Sequence, residues 1–125
     1  MKLFQDKAAD LNMVTGYAND HVMINKVRYD GSLILQPENI TVDWAVGGFE
    51  ALSLDEFAQV AALGVDVVIV GTGARQRFPA AALLQPFISA RIGFEIMDLG
   101  SACRTYNILA GEGRNVAAAL ILEKP

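Results

Sequence analysis

The chain has 125 residues, 53% of them hydrophobic and 19% charged, with a formal net charge of −4 and one cysteine. A chain of this length suits one domain, taken as 1–125, and buries roughly two-thirds of its extended surface, so disorder is excluded. The acidic balance argues against a general nucleic-acid binder; one Cys excludes an intrachain disulfide; and no apolar run approaches the ~20 residues of a membrane span.

Met1–Lys7 has no apolar stretch of signal-peptide type, and its early acids argue against a transit peptide. The expected address is the cytoplasm. His21–Tyr29 alternates Val, Met and Ile and is predicted as a strand. Asp30-Gly31 is a favoured tight-hairpin dipeptide, and Ser32–Leu35 continues the alternation. Pro37 stops that run, and Ile40–Val46 forms a further strand around Trp44. An antiparallel meander is expected.

At Leu52 the period lengthens from two to nearly four. Ser53-Leu54-Asp55-Glu56 is a capping-box pattern, with Leu52 and Phe57 as its hydrophobic staple. Leu54, Phe57, Ala58 and Ala61 fill one helical face, and Gly64 offers a left-handed stop. Val65–Val70 is a β-branched run of the kind covered on both faces. Gly71-Thr72-Gly73 turns the chain.

Pro79–Ile92 reads as a helix with Pro79 in its first turn and a kink or break at Pro86. Phe94–Met97 is a strand ending at Asp98, Ser101–Ala110 a helix, and Val116–Leu122 a final buried strand. The fold class is α/β: three layers around a central mixed, largely parallel sheet, preceded by the meander. Val65–Val70, Phe94–Met97 and Val116–Leu122 are expected at the buried centre of that sheet.

Charge is unevenly placed. Residues 1–70 carry a net −6, residues 71–125 a net +2, and five of the six arginines lie in the second part. Gly71-Thr72-Gly73 closes a buried strand at its carboxyl end, where open α/β sheets bind ligands, and turn amides there can form an anion nest. Arg75 and Arg77 follow at once. Against a dinucleotide site, Gln76 stands where the fingerprint needs a third Gly, and no Gly-Lys-Ser/Thr follows. Glycines that merely ease a strand-to-helix turn are the plainer alternative.

Asp98 lies 27 residues after Gly71, as a ribose-binding carboxylate would, yet it also suits a helix start. Cys103 falls with Ala102, Tyr106, Leu109 and Ala110 on one helical side, which makes it core rather than nucleophile. The other side holds Ser101, Arg104, Thr105, Asn107 and Ile108, with donors and acceptors near a helix start, where anions are attracted. Glu112 and Arg114 flank Gly113 and could pair at the turn. With one His and one Cys, a metal centre or a catalytic triad has no residues to use, and no cofactor is expected. The candidate anion- or partner-binding set is Gly71, Thr72, Gly73, Arg75, Arg104, Thr105 and Asn107.

Ile69–Gly73, Gly93–Asp98, Ala102–Leu109 and Glu112–Leu120, with Gly16-Tyr17, Tyr29–Ser32 and Trp44, resemble a domain-of-unknown-function family often called the Mth-type domain. The resemblance covers nearly the whole chain. It implies a compact three-layer α/β fold with a mixed sheet. Eukaryotic members include an assembly factor of mitochondrial respiratory complex I, and another is linked to fat-cell differentiation. Relatives often carry Thr after the residue matching Asp98; here it is Leu99. Two readings stay open. One is a non-enzymatic interaction or assembly protein with respiratory-complex or other protein partners. The other is a module, even an enzyme, that binds a small anion or nucleotide phosphate through Gly71–Gly73, Arg75 and Arg104.

Overall fold

The computed structural model describes residues 10–123. Five strands precede the first helix: β1 Val14–Ala18, β2 His21–Ile24, β3 Val27–Tyr29, β4 Leu33–Gln36 and β5 Asn39–Thr41. After a 3₁₀ turn at Phe49–Ala51 come α1 Leu54–Ala61 and β6 Val67–Gly71. A second 3₁₀ turn, Ala81–Leu84, runs into α2 Gln85–Ser89. β7 Gly93–Met97, α3 Leu99–Gly111 and β8 Val116–Leu120 complete the chain.

The strands form two sheets. β1-β2-β3 is an antiparallel sheet of three, and β5-β4-β8-β6-β7 is a mixed sheet of five. In the larger sheet β6 pairs parallel with β7 and β8, whereas β4 pairs antiparallel with β5 and β8. The expected mixed α/β architecture is present, with half of its pairs parallel.

β8, Val-Ala-Ala-Ala-Leu, is buried at every position. Its small side chains let layers close from both sides. Val116, Ala118 and Leu120 join Ile69, Leu33 and Leu35 under α3 and the three-stranded sheet. Ala117 and Ala119 join Val68, Val70 and Ile34 under α1 and α2. This period of two across three neighbouring strands fixes the register, because a slip of one residue would exchange the two cores. In the second core, aromatic rings run Trp44–Phe57–Phe87–Phe94 at centroid spacings of 6.4, 5.2 and 5.5 Å. Fully burying a phenylalanine ring is worth roughly 1.5–3 kcal/mol, and Phe94 is the one ring of the four that is only partly buried.

His21–Tyr29 is not one strand but a hairpin, turning at Asn25-Lys26 with φ of 49° and 69°. Asp30-Gly31 instead carries the chain from the first sheet to the second. The meander is β1-β2-β3, and its first strand, Val14–Ala18, went unpredicted. The strand expected over Ile40–Val46 ends at Thr41, because Asp43 and Ala45 take φ of 58° and 52°.

The capping box closes, with Ser53 N–H donating to Glu56 Oε1 at 2.6 Å. The buried face of α1 is Phe57 and Val60, however, while Leu54 and Ala58 point outward. The segment expected as a helix over Pro79–Ile92 is helical only from Ala81 to Ser89, with Pro79 outside it and not in its first turn. Pro86 breaks the segment as expected, standing in the first turn of α2 after the 3₁₀ turn. Phe94–Met97 lies at the edge of the sheet, not its centre. Exposed Glu95 between Phe94 and Ile96 marks an edge strand with one covered side.

Candidate functional site

The loops after β6 and β7 meet at one rim. Thr72 N–H donates to Met97 O at 2.9 Å, and Leu99 N–H donates to Gly73 O at 2.8 Å. Parallel pairing of β6 with β7 puts their carboxyl ends side by side, so both loops leave in the same direction.

Gly71 serves close packing. A Cβ there would stand 2.9 Å from the Ala102 Cβ and 3.2 Å from Leu120 Cδ2, so the glycine lets α3 lie directly on β6. Thr72 is fully buried and acts as a pin. Its hydroxyl donates to Arg75 O at 2.8 Å and accepts from Arg77 N–H at 2.9 Å. Gly73 has φ of 94°, and a Cβ would run into Glu123 Oε2 and approach Arg77 Nη2 to 3.0 Å. Only glycine fits there.

The loop does hold an anion, and that anion is the chain's own. Glu123 Oε2 accepts from Arg77 Nη2 at 2.9 Å and from Ala74 N–H at 3.4 Å. Arg77 is held in turn by Nε and Nη2 bonds to Thr72 O at 3.1 and 2.7 Å, and its guanidinium lies 4.4 Å from the Phe49 ring centroid. Arg77, not Arg75, is therefore the loop's working arginine. The Arg75 side chain is exposed and has no ion pair among the described residues. Sequence reasoning named Arg77 only in passing and missed Glu123, which lies 46 residues away at the far end of β8. No spacing signal connects them.

The second cluster opens α3. Asp98 is its N-cap: Ser101 N–H donates to Oδ2 at 3.2 Å and the Ser101 hydroxyl to Oδ1 at 2.6 Å. The Ser101 hydroxyl and amide, then the Arg104 charge, hold the Asp98 carboxyl below its usual value. That is a helix cap, not a ribose ligand. Arg104 donates to the Tyr17 hydroxyl at 2.7 Å and to Ser101 Oγ at 3.3 Å. Thr105 Oγ1 reaches Met97 Sδ at 3.5 Å.

Asn107 clamps β1. Its Oδ1 accepts from Val14 N–H and its Nδ2 donates to Val14 O, both at 2.9 Å. Tyr17, Arg104 and Asn107, with buried Cys103, line a cleft of about 230 Å³ between β1 and α3. Burial pushes the Cys103 thiol up to about 12. His21 is engaged by neighbouring Asp20 at 2.9 Å. Among the described residues Glu112 and Arg114 form no ion pair, so the pairing expected at that turn is absent. Instead Gly113 and Arg114 N–H groups satisfy the last carbonyls of α3, those of Ala110 and Leu109. No group of His, Cys, Asp and Glu among the described residues could hold a metal ion.

Comparison with known proteins gives one family. The pattern described as "Protein of unknown function (DUF498/DUF598)" matches residues 14–121. A Homo sapiens protein named NADH dehydrogenase (ubiquinone) 1 alpha subcomplex assembly factor 3 is 34% identical over 123 residues, 97% of this chain. The chain spans 66% of that relative's length. A 13 kDa major membrane protein of Francisella tularensis is 24% identical over 106 residues, 84% of this chain and 86% of that one. A solution structure of a Bordetella pertussis protein described as a Mth938-like domain superposes with a TM-score of 0.77 at 29% identity, covering 90% of this chain and 86% of that one.

Proposed function

Since the chain belongs to the family described as proteins of unknown function (DUF498/DUF598), we propose that it is a non-enzymatic assembly protein that holds protein partners while respiratory complex I is built. The observation that carries this reading is the 34% identity to the human assembly factor across 97% of the chain. The use of polar residues agrees with it. Asp98, Thr72 and Asn107, which sequence reasoning offered to ligands, spend their side-chain bonds on the fold. An enzyme would keep such groups aimed at a substrate.

The chain works in the cytoplasm on this reading, where Cys103 stays reduced. Among the described residues no helix is long and apolar enough to cross a membrane, and a membrane association like that in the Francisella relative's name would come through partners. Deleting the gene and resolving membranes by native electrophoresis tests the role. Assembled NADH dehydrogenase should fall, smaller subassemblies should accumulate, and the wild-type gene should restore the complex. An unchanged amount of assembled complex refutes the reading.

A further inference from the structure

Glu123 is a one-pronged guest in a site built for a carboxylate. We infer that Gly73–Arg77 is a docking point for an acidic segment of a protein partner and that Glu123 holds its place until the partner's carboxylate exchanges with it. The proposal rests on the protein-binding reading above and specifies the surface.

Arg77 is pre-set for this work. Two bonds to Thr72 O and the Phe49 ring fix its guanidinium before any ligand arrives, so little freedom is lost on binding. Its side chain is 19% exposed, whereas that of Glu123 is 37% exposed: the cation sits in the wall and the carboxylate at the mouth. Glu123 meets Arg77 and Ala74 through Oε2 alone, and among the described residues Arg77 Nη1 has no hydrogen-bond partner. An incoming carboxylate can therefore engage the guanidinium through two oxygens where Glu123 uses one, and two-pronged pairing is the stronger form.

The surroundings choose the partner's chemistry and direction. Phe78, next in sequence to Arg77, is 69% exposed. With Phe49, Glu50, Leu52, Pro79 and Leu83 it lines a groove of about 270 Å³. The one charged wall residue is Glu50, so the partner meets this groove with an apolar side chain and not with a carboxylate. Exposed Arg75, two residues before Arg77, adds positive charge to the loop. Glu123 also lines a second cleft together with Asp30 and Asp43, and those two carboxylates repel an acidic chain from that direction. The segment that fits thus places a carboxylate on Arg77 and an apolar side chain against Phe78.

The test uses a fluorescein-labelled Glu-Glu-Leu-Phe-Glu peptide, with the Gln-for-Glu peptide as control, and reads affinity by anisotropy. Glu123→Gln should bind the acidic peptide about tenfold more tightly than wild type, because the internal competitor is gone. Arg77→Gln added to Glu123→Gln should abolish that gain, and Phe78→Ser should weaken binding several-fold. A second measurement covers variants that fold poorly. Acetate should raise the melting temperature of Glu123→Ala above chloride at equal ionic strength, and should not do so when Arg77→Gln is added.

No gain in Glu123→Gln, equal binding of the Gln peptide, or a gain that survives Arg77→Gln overturns the proposal. So does self-association of Glu123→Gln in sedimentation, which would make a second copy the occupant. Any of these results leaves the assembly role standing on its own deletion test.

Discussion

Cys103 is 1% exposed on the buried face of α3, amid Ala102, Tyr106 and Leu99. Burial favours its neutral thiol and lifts it from an ordinary 9.0 to about 12. At pH 8 the native thiolate is then far scarcer than in an unfolded chain. Labelling by an aromatic disulfide reagent should accordingly be slow in buffer and fast in denaturant. Rapid native labelling would contradict the core placement. The folded state holds this proton more tightly than the unfolded one. Its contribution to stability is thus complete below about pH 9 and fades as pH rises toward 12. Tyr106, shifted up by the same burial, adds to the alkaline loss. At this scale the helical wheel was enough to place Cys103, and the reading of Asp98 as a helix start pointed to the cap that Ser101 completes. Asn107 and Glu123 were different. Their partners lie 93 and 46 residues away, and no local pattern encodes a bond that tertiary folding creates.

Among elements, those whose signal is local were legible. The capping box of α1, the break at Pro86 and the doubly covered β6 each follow from a few neighbouring residues. The β2–β3 hairpin was not, because Asn25-Lys26 puts lysine where a turn of this hand favours glycine. Both residues stand in the left-handed region, and a side chain there costs roughly 1–2 kcal/mol. Lys26→Gly removes that strain, keeps the backbone bond from residue 26 N–H to Thr15 Oγ1 at 2.9 Å, and adds unfolded-chain entropy that offsets part of the gain. A net stabilisation of about 0.5 kcal/mol is expected in urea titration, and a loss of stability would mean that Lys26 makes contacts worth more than its strain. The edge position of β7 was also hidden. Hydrophobicity reports that a strand is covered, while the number of its hydrogen-bonded neighbours depends on strand order. Gln76 Nε2 caps the Ile96 carbonyl at 2.7 Å, which blunts part of that edge against stray pairing.

Over the whole molecule, the acidic first part supplies the three-stranded sheet and the β4–β5 hairpin, and the arginine-rich second part supplies most of the rim at the carboxyl ends of β6 and β7. The protein is therefore acidic overall yet presents Arg75 and Arg77 beside exposed Phe78. Charge of this kind is screened over about 10 Å at 0.1 M salt, so a partner held at this rim should be released progressively as salt rises. The most direct measurement is native mass spectrometry of the tagged chain isolated at low salt from its own cells, wild type beside an Arg77→Gln/Phe78→Ser variant with an unchanged melting profile. The account predicts a discrete heteromeric complex of fixed stoichiometry for wild type and its loss in the variant. A wild-type chain found only alone or with copies of itself, or a variant that keeps the same complex, would contradict it.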